Sequence, residues 1–339
     1  MLKFSRLFLL LVIAAILLVS LANWALVSEM DRPTVRADLP LTVANGASTR
    51  SVLNQLAGME VLKYPRLVEV YSRWKYRDQP GFKSGKYLLG QGSTPRQVLE
   101  QLRQGRVQLE SVRLVEGWTF LQFRKLLADQ ADLVHDWSGL SDADVMTHLG
   151  AAGVHPEGRF FPDTYRFAAG TEESTVYRLA FERMRHELTI AWDQRDVTLP
   201  VKSADELLIF ASIVEKETGR ADERTKIAGV FANRLRIGMR LQTDPTVIYG
   251  IGASYDGDIR NRDIDTDTPY NTYTRSGLPP TPIAMPGAES LRAAAHPEHF
   301  AALYFVATGL GDGSTHFSNT LTEHNSAVAL YLRRTRGGA

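Results

Sequence analysis

Ala-Ser-Ile-Val-Glu-Lys-Glu-Thr, residues 211–218, closes a run from Ala204 in which Leu207, Leu208, Phe210, Ala211, Ile213, Val214 and Thr218 recur at helical spacing. The run predicts a helix over 204–218. At roughly 100° per residue, Glu217 lies about 50° from the centre of the apolar stripe, Glu215 about 105° from it, and Lys216 nearly opposite. Glu217 is therefore the carboxyl group expected against apolar surface. Such a group resists ionisation, keeps its proton near neutral pH and can donate it as a general acid. Residues two apart diverge around a helix, so Glu215 and Glu217 do not converge on one substrate atom as a glycosidase pair does. The competing reading is that both are solvated helix charges, as most Glu side chains are.

Working outward, the chain of 339 residues is 44% hydrophobic, enough for packed cores and a globular chain. A formal charge of +1 gives no reason to expect nucleic acid or another acidic polymer held by bulk electrostatics. Leu7 to Val27 carries no charge and is long enough to cross a bilayer as a helix. Lys3 and Arg6 precede it, and Glu29, Asp31 and Arg32 follow, so the positive-inside bias puts the N-terminus in the cytoplasm and sends the remainder outward. Ser20-Leu21-Ala22 offers a signal-peptide cleavage site, but the apolar run is long for such a peptide and Trp24 suits an interfacial anchor. A retained single-pass helix in the inner membrane is expected. With no cysteine there are no disulfides, and stability must come from the core.

The fold class expected is α+β, with residues 1–30 as cytoplasmic N-terminus and membrane helix, 31–40 as linker, 41–108 as a small module and 109–339 as a larger mixed domain. Within the module, Gly46-Ala-Ser-Thr-Arg-Ser-Val-Leu-Asn-Gln-Leu56 recurs as Gly92-Ser-Thr-Pro-Arg-Gln-Val-Leu-Glu-Gln-Leu102. Each copy reads as a glycine turn into a short helix, the second with Thr94 as N-cap, Pro95 at N1 and Gln97 completing a capping box. Between them Phe82 to Leu89 reads as strand, turn and strand, and the module resembles a LysM-like glycan-binding domain. Further on come a strand at 107–115, a cap at Thr119, a turn at 160–165 and a charged helix at about 174–192. A helix through Ile227 to Leu235, a strand at 303–307 and a last helix near 325–332 complete the larger domain.

Several motifs carry no chemistry. Gly309 to Gly313 lacks dinucleotide-fingerprint spacing and reads as a hairpin turn. An EF-hand aligned at Asp256 would put Arg260 where an oxygen ligand belongs and Asn261 where glycine belongs. His296, His316 and His324 are too far apart for a zincin signature. None of these patterns implies a metal or a cofactor. By contrast, Val230 to Gly250, Tyr270-Asn-Thr-Tyr273 and Gly277-Leu-Pro-Pro280 gather amides, hydroxyls and aromatic rings in shaped loops, as a sugar cleft requires.

These segments, with 211–218, Ala293-Ala-Ala-His-Pro297, His316-Phe317 and His324-Asn325, closely resemble the endolytic murein transglycosylases of the YceG-like family over nearly the whole chain. The spacing from Ile213 to Thr218 also resembles the Glu-Ser motif of other lytic transglycosylases, with Thr218 for Ser, and that alignment selects Glu217. The resemblance implies non-hydrolytic cleavage of the MurNAc-β-1,4-GlcNAc bond to leave a 1,6-anhydromuramoyl end. It also implies peptidoglycan glycan strands as substrate, a role in ending glycan elongation, and cell-wall synthases as partners. Glu217 is then the catalytic residue, and Asn233, Gln242, Asp244, Tyr249, Tyr270, Asn271 and Tyr273 are candidate substrate-binding residues. Arg234, Arg236 and Arg240 are read as solvating a helix and turn, or meeting a peptide-stem carboxylate. Two rivals stand: a hydrolytic muramidase using Asp244 as second carboxylate, and a non-catalytic membrane-anchored peptidoglycan-binding protein.

Overall fold

In a computed structural model, residues 2–76 and 81–336 are described; residues 77–80 of the expected module and the last three of the expected larger domain lie outside them. The chain divides into two compact units. One runs to Glu110 and includes Arg166–Thr171; the other comprises Ser111–Tyr165 and the chain from Glu172.

The smaller unit contains α1 (Leu2–Met30), β1 (Leu39–Val43), α2 (Thr49–Gly58), α3 (Pro65–Lys75), β2 (Gly85–Leu89) and α4 (Pro95–Gln104). Its α1 segment Leu9–Met30 is long and apolar enough to cross a membrane. Both glycine-turn helices form. Ser48 caps α2 by accepting from the Ser51 N–H at 3.1 Å. Thr94 and Gln97 make the reciprocal capping box on α4.

β1 and β2 pair antiparallel with Leu41 opposite Tyr87, and their buried alternate residues face a core shared with Val52, Leu56, Val68, Val98 and Leu102. Phe82 to Ser84 form no strand, which corrects the expected strand-turn-strand. Gly85 has φ +138 and bends the chain there, while the Lys83 N–H is spent on the Leu102 carbonyl of α4. The β2 strand therefore takes β1 as its partner.

The 31–40 connector is itself folded onto this unit. Val35 is buried, and Thr34 and Val35 donate backbone N–H bonds to the Ser93 carbonyl.

The remaining elements follow in chain order: β3 (Leu109–Arg113), α5 (Phe120–Ala128), β4 (Leu133–Val134), α6 (Asp142–His148), β5 (Thr164–Ala168), β6 (Thr171–Glu172), α7 (Glu173–Asp193), α8 (Ala204–Glu217), α9 (Arg224–Arg236), α10 (Asp244–Ile251), α11 (Asn261–Asp265), α12 (Ala288–Ala295), β7 (Tyr304–Ala307), β8 (Thr315–Ser318) and α13 (Leu321–Arg336). The structure is thus a mixture of α and β elements. The 309–313 segment is a hairpin turn, as read, since β7 and β8 pair antiparallel around it with Phe305 opposite Phe317.

The centre of the larger unit is α8. All eight residues from Leu207 to Val214 are buried, so the helix is enclosed on every side, unlike the one-sided stripe expected from the sequence. It packs against α7, α9, α10 and α12. Small residues allow that enclosure: Ala293, Ala294 and Ala295 of α12 are buried in the same core. A Cβ added at Gly229 of α9 would stand 2.4 Å from the Glu298 carbonyl oxygen.

Candidate active site

The last turn of α8 carries Glu215 and Glu217 out of this core, and their neighbours separate them. Glu215 accepts the Gly287 backbone N–H at 3.0 Å. Glu217 accepts the hydroxyl of Thr243. Some surface of Glu217 remains accessible, but its carboxyl group is largely desolvated, and this raises its pKa above the usual carboxylate range. The Thr243 hydrogen bond and the Arg234 charge act the other way, while the nearby Asp244 charge adds to the rise. The C-terminal end of a helix is also the negative end of its dipole, which disfavours a second negative charge there.

Thr243 reaches Glu217 because of a turn the chain makes after α9. Gly238 and Gln242 both take positive φ, +71 and +49, and the Gln242 N–H bonds to the Thr272 carbonyl at 3.2 Å. Thr243 then stands at the N-cap of α10 without using its hydroxyl as a cap, which leaves that hydroxyl for Glu217. Its own N–H bonds to Thr272 Oγ1 at 3.1 Å, and Thr272 Oγ1 lies 2.8 Å from Thr246 Oγ1. These three threonines are buried, so the hydroxyl facing Glu217 is held by an internal network.

Of the residues expected around a sugar cleft, the structure brings Asp244 and Tyr273 to Glu217. The Tyr273 hydroxyl donates to Asp244 Oδ1 at 2.6 Å, and the phenol is raised above its ordinary pKa by burial and by that carboxylate. Gln242 contributes its backbone turn, with its side chain exposed. Tyr249 and Tyr270 form an edge-to-face pair with centroids 4.8 Å apart; Tyr249 donates to Glu157 at 3.1 Å, and the Tyr270 hydroxyl lies 2.8 Å from Thr281 Oγ1.

The two asparagines are committed elsewhere. The Asn233 amide donates to the carbonyls of Phe300 and Ala302 at 2.7 and 3.0 Å. Asn271 is buried; its amide meets the carbonyls of Ile264 and Thr266 at 2.8 and 2.7 Å, and its oxygen accepts the Tyr273 N–H. Neither amide is free for an acetamido group. Arg234 is not the solvating charge expected: it is 7% exposed and donates to the Leu303 and Leu241 carbonyls, while Arg236 and Arg240 remain exposed.

Two residues, Thr243 and Glu157, were missed by reading the sequence, and Arg234 was given a different role. Thr243 stands directly before Asp-Pro, an N-cap signal whose hydroxyl could equally have been assigned to the helix. Arg234 looked like one of several basic residues at a helix end. Glu157 is 3% exposed, accepts the Phe120 N–H at 3.0 Å and is pushed up to about 7 by burial, yet His-Pro-Glu-Gly gives no sequence signal of enclosure.

The sequence profile of the YceG-like family matches residues 41–330. The chain is 30% identical over 325 residues to a Bacillus subtilis protein named endolytic murein transglycosylase, spanning 90% of this chain and 87% of that one. It is 26% identical over 324 residues to a Streptococcus pneumoniae R6 protein of the same name, spanning 86% of this chain and 58% of that one. The crystal structure of a yceG-like protein from Listeria monocytogenes superposes with a TM-score of 0.54 at 28% identity, covering 86% of this chain and 99% of the other. The matched span holds α8, the turn that delivers Thr243, and the Tyr273 loop, and the chain belongs to the YceG-like family.

Proposed function

We propose that the protein is an endolytic murein transglycosylase, a lyase that cleaves the MurNAc-β-1,4-GlcNAc bond of nascent peptidoglycan strands. The observation that carries this reading is the desolvated Glu217 carboxyl, held by Thr243 beside the Asp244–Tyr273 pair. Its raised pKa keeps a proton available for donation. Protonated Glu217 gives that proton to the leaving glycosidic oxygen as an oxocarbenium-like state develops. The resulting carboxylate takes the proton of the muramoyl C6 hydroxyl while that oxygen attacks the anomeric carbon. One C–O bond breaks, another forms, and the proton returns to Glu217 with no water consumed. The substrate supplies the nucleophile, so one enzymic carboxyl group is enough.

Tyr273 and Asp244 are assigned to the substrate cleft, with Tyr273 stacking on a sugar or facing the developing positive charge. Residues 109–339 form the catalytic domain in this reading, and 41–108 a LysM-like module. α1 serves as a single-pass anchor in the inner membrane with a cytoplasmic N-terminus, so cleavage occurs outside the cytoplasm near sites of strand synthesis. Ending glycan elongation beside cell-wall synthases is the role that follows.

Asp244 is close enough to act electrostatically on Glu217, and this favours one alternative, a muramidase in which Asp244 activates water. Mass analysis of products from uncrosslinked glycan decides between them. The anhydro product is one water lighter than the hydrolytic one, and Glu217→Gln should lower formation of the wild-type product, whichever it is, by orders of magnitude. A reducing muramoyl end from the wild type would sink the transglycosylase reading.

A further inference from the structure

Helix α3 buries one face and leaves an apolar stripe on the other. Val68, Glu69 and Ser72 face the core of the smaller unit. Leu67, Val70 and Trp74 lie within roughly 60° of one another on the nearly opposite side. They are 44%, 67% and 79% exposed. An aliphatic and tryptophan stripe flanked by cations is the composition of a helix that lies in a membrane interface. Here Arg66 and Arg73 flank it on one side and Lys75 on the other, all exposed.

The position of α3 relative to α1 says which surface covers that stripe. Leu26 and Met30, in the last turns of α1, are buried in the core of this unit, whereas Trp24 is exposed. Glu29, the first acidic residue after the apolar run, accepts the backbone N–H groups of Lys63 and Tyr64. Tyr64 is the N-cap of α3. The start of α3 is therefore fastened to the end of α1 where that helix leaves its apolar segment. At the same junction a cavity of about 760 Å³ is lined by Trp24, Ser28, Arg32, Arg36, Lys63 and Tyr64. It gathers three cations, the carboxylates of Glu29 and Glu60 and two aromatic rings beside the end of the apolar run of α1, the level at which lipid phosphates and interfacial aromatics sit when that run spans a bilayer.

We infer that α3 is a second membrane contact. Its Leu67–Val70–Trp74 stripe lies in the leaflet through which α1 exits, and Arg32, Arg36 and Lys63 take anionic phospholipid headgroups in the junction cavity. The inference rests on the anchoring proposed above. Its consequence is that the smaller unit is fixed to the bilayer at two points instead of swivelling on one helix.

The chain has no cysteine, so an introduced one is a unique label site. Full-length Val70→Cys carrying a nitroxide is reconstituted in bilayers containing phosphatidylglycerol, with Glu100→Cys, at an exposed position of α4, as reference. The label at 70 should collide with oxygen severalfold more, and with a water-soluble nickel chelate severalfold less, than the label at 100. Adding Lys63→Glu and Arg66→Glu should move it toward water. Equal aqueous exposure at both positions, with the protein still floating with vesicles in high salt, overturns the inference and leaves the anchor intact. Failure to float overturns both. Protection at 70 only on adding uncrosslinked glycan or more protein assigns the stripe to glycan or a second copy and likewise overturns it.

Discussion

The Thr243 hydroxyl donates to the Glu217 carboxylate across 26 residues of sequence, joining the end of α8 to the start of α10. Burial raises the Glu217 pKa, and this bond restrains the rise because a donated hydrogen bond favours the ionised form. Thr243→Val should therefore raise the pKa further. Since the general acid must be protonated, the alkaline limb of the kcat/KM profile should move to higher pH.

Asp244→Asn should do the opposite. It removes a negative charge that pushes Glu217 upward while keeping an oxygen for the Tyr273 hydroxyl, so the alkaline limb should move to lower pH. If both variants shift the limb in one direction, the limb does not belong to Glu217.

Glu217→Gln should lower turnover on uncrosslinked glycan by about 10²–10⁴-fold, the usual worth of a general acid. Binding should be retained. The check is single-turnover product formation read beside a glycan-binding isotherm.

Asn271→Ala should act on stability. It removes an amide tied to loop carbonyls and leaves buried acceptors unpaired, a cost of about 1–3 kcal/mol visible as a lower Tm. A rise in KM with unchanged Tm would instead make Asn271 a substrate ligand.

Glu157 gives a pH-dependent stability. Its pKa stands at about 7 in the folded protein, up from the ordinary 4.5, so the native state holds the proton more tightly than the unfolded chain. Its effect is absent well below pH 4.5 and grows as a loss of stability while pH rises to about 7, reaching roughly 3 kcal/mol by linkage. Glu157→Gln should flatten that part of the stability curve, measured by denaturant unfolding from pH 4 to pH 8.

Much of the fold was legible because it is written in local pattern. The glycine turns with Ser48 and Thr94 caps, the Thr119 cap, the long α7, and the hairpin turn at 309–313 each depend on residues within a few positions of one another. Helix α3 is amphipathic in the inverted sense: the face it buries carries Val68, Glu69 and Ser72, while Leu67, Val70 and Trp74 stand exposed, so its pattern does not say which side meets the core. The strand expected at Phe82 failed because its hydrogen-bonding group went to α4, a partner distant in sequence.

At the site the same division holds. The helix at 204–217, its apolar character and the choice of Glu217 over Glu215 came from spacing and family motif, since both are properties of a short stretch of chain. Which groups meet the two carboxylates came only from tertiary packing. A helix buried on all sides has no single apolar stripe, and Glu215 and Glu217 differ by what stands against them, Gly287 in one case and Thr243 in the other. The sequence by itself determined the helix and singled out Glu217 on it; tertiary structure decided what stands against that carboxyl group. Hydrogen bonds and desolvation act through space between segments whose separation along the chain carries no record of their contact.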